Sequence, residues 1–234
     1  MPSLAPEPAS HQAIEIERVK FCAGVCAAGH QRVLLQDLNL SVSPGEFLTI
    51  TGPSGIGKST LLDLIGGIRL PEAGAIRIFN TEISLLGGRA RRRLRRLCIH
   101  YVDQGLHLLP HLTVLENLSA SQFFQGCSNL MTVEKAIEVL GLTEKRRSLP
   151  YQLSGGERQR VRIAQALVTE TPILLVDEPS SNLDAENALR AFECLQAQHQ
   201  GGRTIVMTTQ DKTLLRAAPK VKSLEEFQAG GRQT

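Results

Sequence analysis

Tryptophan is absent from the 234-residue chain, and aromatic residues make up only 4% of it. So few rings leave few platforms on which bases could stack, which argues against nucleic acid as a partner. No apolar run approaches the roughly 18 residues that read as a membrane-crossing helix. The opening MPSLAPEPASHQ lacks the basic-then-apolar pattern of a signal peptide, so the chain is expected to stay in the cytoplasm. Five cysteines, Cys22, Cys26, Cys98, Cys127 and Cys194, form no CxxC pair. Neither a disulfide framework nor a zinc site follows from them, and free, mostly buried thiols are expected. The formal net charge is a mild +3. The exception to this evenness is Arg89, Arg91, Arg92, Arg93, Arg95 and Arg96, six arginines within eight residues. That block reads either as a solvated helix face or as a surface drawn to anionic headgroups or an acidic partner.

What is present begins with 42% hydrophobic content, enough for one substantial core with room for a small inserted subdomain. Residues 1–13, rich in Pro, Ala and Ser, read as a disordered tail. Alternating Ile14, Ile16, Val19 and Phe21 predict a first strand, and Leu38, Leu40 and Val42 an antiparallel neighbour closed by the turn Ser43-Pro44-Gly45-Glu46. A third apolar strand, Phe47–Ile50, runs into Gly52-Pro53-Ser54-Gly55-Ile56-Gly57-Lys58-Ser59-Thr60. The spacing GxxxxGK[ST] describes a phosphate cradle. Gly52, Gly55 and Gly57 let backbone N–H groups approach a polyphosphate, Lys58 reaches the outer phosphates, and the Ser59 hydroxyl is placed to ligate Mg2+. The helix that follows carries its apolar face on Leu61, Leu62, Leu64 and Ile65.

Farther on, Ala75–Phe79 reads as a short strand, the arginine block as a helix, and Cys98–Gln104 as a strand ending on a polar glutamine. Leu112–Gln125 and Thr132–Leu140 read as helices of an inserted segment over about 105–157. At its end, Ser154 and Glu157 have the spacing of a capping box, which explains a helix start but leaves Gly155 and Gly156 in a first turn that they weaken. Something must come close to the backbone there, and a phosphate suits a bare helix N-terminus. Ile173–Val176 then reads as a buried parallel strand ending in Asp177 and Glu178. After a phosphate loop, Asp177 fits the Mg2+ shell and Glu178 fits the polarisation of a water attacking the γ-phosphate.

The order of these stretches resembles the ATP-binding subunit of an ABC transporter from Ile14 onward. Residues 52–60 match the Walker A loop, Gln104 the Q-loop, LSGGERQR the family signature, 173–178 the Walker B strand, and Ser181-Asn182-Leu183-Asp184 the D-loop. TGPSGIGKSTLLDLIGGI and HLLPHLTVLENL are most similar to the subgroup serving lipoprotein release, macrolide efflux and cyanobacterial glycolipid export. The resemblance implies an α/β fold: a RecA-like P-loop NTPase core, an N-terminal antiparallel β-subdomain and an inserted α-helical subdomain, in one domain over 14–234. It implies ATP and Mg2+ as ligands, with Pro53, Ser54, Ile56 and Thr60 joining the phosphate-loop glycines and Lys58. It further implies a homodimer or heterodimer of ATPase subunits in which Ser154, Gly155, Gly156, Glu157 and Asp184 of one copy complete the site of the other. Mg2+ would be held by Ser59, Gln104 and Asp177; the catalytic set would be Glu178, Gln104 and the switch position. An integral membrane permease would dock on the segment 105–114, placing the subunit peripherally at the cytoplasmic face of the inner membrane.

Two positions depart from the family pattern. Gln210 stands where a switch histidine is usual, and it can donate to a γ-phosphate but cannot carry a proton. Slowed hydrolysis, in a regulatory or structural subunit, is the alternative it raises. Near the end of the first strand the family usually presents an aromatic for adenine; here Cys22-Ala23-Gly24-Val25-Cys26 occupies that region, with Phe21 the nearest ring. A soluble ATPase of DNA repair or translation would need a coiled-coil insertion, a zinc module or a second cassette, and none is written in the sequence.

Overall fold

The computed structural model describes residues 12–25, 31–105, 108–125 and 132–228. Cys26, Cys127, Gly230–Thr234 and the first eleven residues of the expected tail lie outside that set. Strands β1 (Ile14–Val25), β2 (Gln31–Val42), β4 (Ala73–Ile78) and β5 (Thr81–Glu82) form an antiparallel sheet in the order β2-β1-β4-β5. The first two strands are longer than the sequence pattern predicts, running past Phe21 and starting before Leu38. Register shifts between β1 and β2 interrupt the apolar alternation that would have revealed their full length. Ala13, at the edge of the expected tail, is buried; its N–H donates to Val42 O and its carbonyl accepts from Phe79 N. The turn Ser43–Glu46 leads from β2 into β3 (Phe47–Thr51), which belongs to a second sheet.

That second sheet is parallel, in the order β6-β7-β8-β3-β9, with β6 at Ile99–Val102, β7 at Ile173–Asp177, β8 at Thr204–Thr208 and β9 at Val221–Ser223. Both faces are covered, as parallel sheets require. Ile173 and Leu175 point into a core shared with β1, β2, α1 (Lys58–Ile65) and α2 (Gly88–Cys98); Leu174 and Val176 point into a core with α3 (Val114–Gln125), α4 (Val133–Val139), α5 (Gly155–Leu167) and α6 (Ala185–Gln200). Alternate residues of one strand thus feed two cores, and each fully buried aliphatic contributes about 1.5–3 kcal/mol. Two short helices, α7 (Lys212–Ala217) and α8 (Leu224–Gln228), complete the described chain.

The helix expected from Leu112 begins instead at Val114. Thr113 and Glu116 close a capping box, Glu116 N donating to Thr113 Oγ1 at 3.3 Å and Thr113 N to Glu116 Oε2 at 2.8 Å, so Leu112 lies before the cap. At the foot of α5 the buried Arg203 guanidinium donates to Ala166 O, Thr171 O, Thr171 Oγ1 and Gln198 Oε1 at 2.7–2.9 Å. It fastens the ends of α5 and α6 to the starts of β7 and β8. Cys22, Cys98 and Cys194 are free and buried. Among the described residues no helix is long and apolar enough to cross a membrane.

Candidate functional site

A cavity of about 340 Å3 at the carboxyl ends of the parallel strands is lined by Ser54, Gly55, Gly57, Lys58, Ser59, Thr60, Gln104, Glu178 and Gln210, with Ala23 and Leu34 on the antiparallel side. Six separate stretches of the chain meet there, four of them from the parallel core. The loop after β3 turns through Gly52 (φ 148°), Gly55 (φ 75°) and Gly57 (φ 113°), conformations open to glycine and strained for other residues. Gly57 N-caps α1, no side chain caps that helix, and its first turn holds no acidic residue. By contrast, α4, α5, α6 and α7 are capped by Thr132, Ser154, Asp184 and Asp211. The amides opening α1 are therefore left to an anion, and a polyphosphate fits them.

Lys58 is 7% exposed, and its ammonium donates to Gly52 O at 2.9 Å and Pro53 O at 3.3 Å, with Glu178 Oε1 at 3.7 Å. A buried cation held by two carbonyls and one distant carboxylate can turn to phosphate oxygens without leaving its pocket. Glu178 sits at φ 47°, a strained conformation for a non-glycine residue, and its N–H donates to Thr208 O at 3.0 Å. That bend turns the carboxylate toward Lys58, while Gln210 N donates to Glu178 Oε2 at 3.2 Å. Asp177, 2% exposed, accepts from Thr208 Oγ1 at 2.5 Å. Thr208 escaped the sequence reading; its signal is the parallel register that sets it opposite Asp177. Among the described residues there is no cluster of three or more His, Cys, Asp or Glu able to hold a metal by itself. One carboxylate and a hydroxyl, Asp177 and Ser59, suit Mg2+, which usually keeps waters and phosphate oxygens as its other ligands.

Phe21, the nearest ring to the expected adenine platform, is turned elsewhere: it packs on the β-subdomain core with the Arg69 guanidinium 5.8 Å from its centroid. The lining residues at the corresponding end of the cavity are Ala23 and Leu34.

The second expected half-site is a separate concavity of about 400 Å3, lined by Ser154, Gly155, Gly156, Glu157, Arg160, Asn182, Leu183, Asp184 and Asn187. Ser154 and Glu157 form the capping box, Glu157 N donating to Ser154 Oγ at 3.1 Å and Ser154 N to Glu157 Oε2 at 2.7 Å. The Ser154 amide, with Lys145 assisting, holds the Glu157 carboxyl below the usual range; the amide of Asn187 does the same for Asp184. The sequence reading attributed both signature glycines to an approaching phosphate. Within the chain, a Cβ on Gly156 would stand 2.7 Å from Asn182 O, whereas one on Gly155 would meet Asn182 Cβ at 3.4 Å. The chain's own loop therefore accounts for Gly156. Lys58 and Ser154 line different concavities of the single chain.

The protein-family model described as ABC transporter matches residues 35–181. The lipoprotein-releasing system ATP-binding protein LolD of Xanthomonas oryzae pv. oryzae is 37% identical over 220 residues, covering 92% of this chain and 90% of that protein. The macrolide export ATP-binding/permease protein MacB of Hahella chejuensis is 36% identical over 85% of this chain, a region equal to 31% of MacB. A solved ATP-binding cassette, dimeric and in a post-hydrolysis state with ADP and Pi bound, superposes with a TM-score of 0.81 at 30% identity over 90% of this chain and 93% of its own.

Proposed function

The chain belongs to the ABC transporter family as one of its ATP-binding, ATP-hydrolysing members, and from that premise we propose that it energises export or lipid and lipoprotein extrusion by a separate membrane permease. Support for the cargo class comes from its likeness to LolD and to the cassette region of MacB. One observation carries the site assignment: Lys58, Gln104, Glu178 and Gln210, from four segments, line one cavity.

In this reading the amides of 52–60 and the Lys58 ammonium bind the β- and γ-phosphates of ATP. Gln104 and Glu178 orient the attacking water, Glu178 accepting its proton, and the Gln210 amide donates to the γ-phosphate. Mg2+, held by Ser59, Asp177 and Gln104, would neutralise charge on the phosphates. Lys58 balances the Glu178 carboxylate until phosphate competes for the ammonium. Ser154, Gly155, Gly156, Glu157 and Asp184 would complete the site of a second ATPase subunit, consistent with the dimeric state of the similar cassette. The segment 105–114 would receive the permease at the inner face of the membrane.

Glu178→Gln tests the assignment, because removing a general base lowers turnover by about 100-fold or more while leaving the phosphate cradle intact. ATP binding should persist, and ATP should now drive the variant from monomer to dimer in light scattering. Unaltered hydrolysis would remove Glu178 from the reaction.

A further inference from the structure

Helix α2 is engaged by none of the chemistry above. Its eleven residues, Gly88–Cys98, include six arginines and no acid. Leu94 and Cys98 face the core, and Arg95 reaches back to Gly66 O and Gly67 O at 3.3 and 3.4 Å. Arg91 likewise donates to Leu86 O. The other four, Arg89, Arg92, Arg93 and Arg96, are all exposed. Their i, i+3, i+4, i+7 spacing gathers them within about 100° of the helix circumference. Among the described residues no ion pair engages any arginine of α2. Like charges at these spacings destabilise a helix, and burial together with the Arg91 and Arg92 charges pushes the Arg95 guanidinium down. Among the described residues no acidic side chain offsets this repulsion by an ion pair.

Apolar side chains border the charge. Leu85, three residues before the helix, is 80% exposed, and Leu97, beside Arg93 on the helical wheel, is 39% exposed. Guanidinium groups with projecting leucines match a surface that offers phosphate headgroups above acyl chains. An acidic peptide would satisfy the arginines and leave Leu85 in water, and the scarcity of rings disfavours nucleic acid.

We infer that the exposed arginine face of α2, with Leu85 and Leu97 at its margin, is a binding site for anionic phospholipid headgroups. Such a contact would hold the subunit against the bilayer independently of the permease proposed to dock on the segment 105–114. The inference concerns a face outside the nucleotide site, so neither claim depends on the other.

Sedimentation of the purified chain with phosphatidylcholine vesicles containing 30% phosphatidylglycerol, and with vesicles of phosphatidylcholine alone, tests it. The wild type should bind the anionic vesicles, weakening as salt rises, and ignore the neutral ones. Each arginine near an anionic surface strengthens partitioning roughly five-fold, so changing Arg89, Arg92, Arg93 and Arg96 to Gln should weaken it by nearly three orders of magnitude, about 600-fold. A variant of equal charge, with exposed Arg146, Arg147, Lys212 and Arg216 changed to Gln, should keep most of the binding. Circular dichroism and solution ATPase rate check that both variants are folded and that the nucleotide site is untouched. Three results overturn the inference: no wild-type binding to the anionic vesicles, equal binding to neutral ones, or equal losses in the two variants. The first would direct attention to an acidic protein segment.

Discussion

Gln210 and Glu178 are joined through the main chain of one and the side chain of the other, Gln210 N donating to Glu178 Oε2 at 3.2 Å. Replacing the Gln210 side chain therefore leaves this support of the carboxylate intact and alters only what the side chain itself can reach. Gln210→His should raise ATP turnover about five-fold, the gain expected when a neutral donor becomes a charge-assisted one. Because imidazolium is the better donor, the gain should be largest below about pH 6.5 and shrink above it. Steady-state rates across pH 5.5–8.5 check this; superimposable profiles would show that the side chain at 210 is silent.

Base selectivity should be weak. Among the described residues no aromatic ring lines the cavity, where Ala23 and Leu34 stand and Phe21 packs elsewhere, so none of them supplies a stacking contact worth about 1–3 kcal/mol. ATP and GTP should bind with similar affinity, and Ala23→Tyr should tighten ATP binding by roughly ten-fold or more. Titration with fluorescent nucleotide analogues measures both; strong ATP preference in the wild type would reveal another base contact.

The two signature glycines should respond differently to alanine. At Gly156 the new methyl would stand 2.7 Å from Asn182 O, and overpacking of that kind costs about 1–3 kcal/mol. At Gly155 the nearest atom lies at 3.4 Å, so the better helix propensity of alanine, up to about 1 kcal/mol, offsets the crowding. Urea denaturation of both variants tests the contrast, with Gly156→Ala the less stable.

Acid should loosen the start of α5. The folded-state pKa of Glu157 is lowered by the Ser154 amide, so its contribution to stability is present above the ordinary carboxylate value near 4.5 and is lost as pH falls through the folded value. Glu157→Gln should therefore be less stable than wild type at pH 7, with the gap narrowing below about pH 4.5. Urea midpoints at pH 7 and pH 4 give the comparison; a constant gap would assign the effect to packing.

The centre of the parallel sheet was legible because a short, mostly apolar strand such as Ile173–Asp177 ends on chemistry-bearing residues, whereas the short, polar β9, Val221–Ser223, carries no such pattern. Motif spacing picks out Lys58 and Glu178, and the resemblance to ABC ATPases adds Gln104 and Gln210; all four line one cavity. The longer hairpin of β1 and β2 was less legible, since its register shifts break the period-two pattern. The positive φ of Glu178 has no local signature in Asp-Glu-Pro. The partner of Asp177 could be found only by aligning two strands 31 residues apart. Gly156 shows the opposite limit: an unusual glycine was visible, but whether a ligand or the chain's own loop lay against it was a tertiary fact.

Arg203 gives helix α5 a mechanical character. Its guanidinium pins the helix at Ala166, while the other tip is wedged under Asn182 at Gly156. Sliding α5 along its axis would disturb both contacts, so tilt is the motion that a force on Ser154 is expected to produce. From pivot to tip the lever is about 16 Å long. A rocking of about 5° then swings the tip by roughly 1.4 Å, carrying along the loop that begins at Glu178.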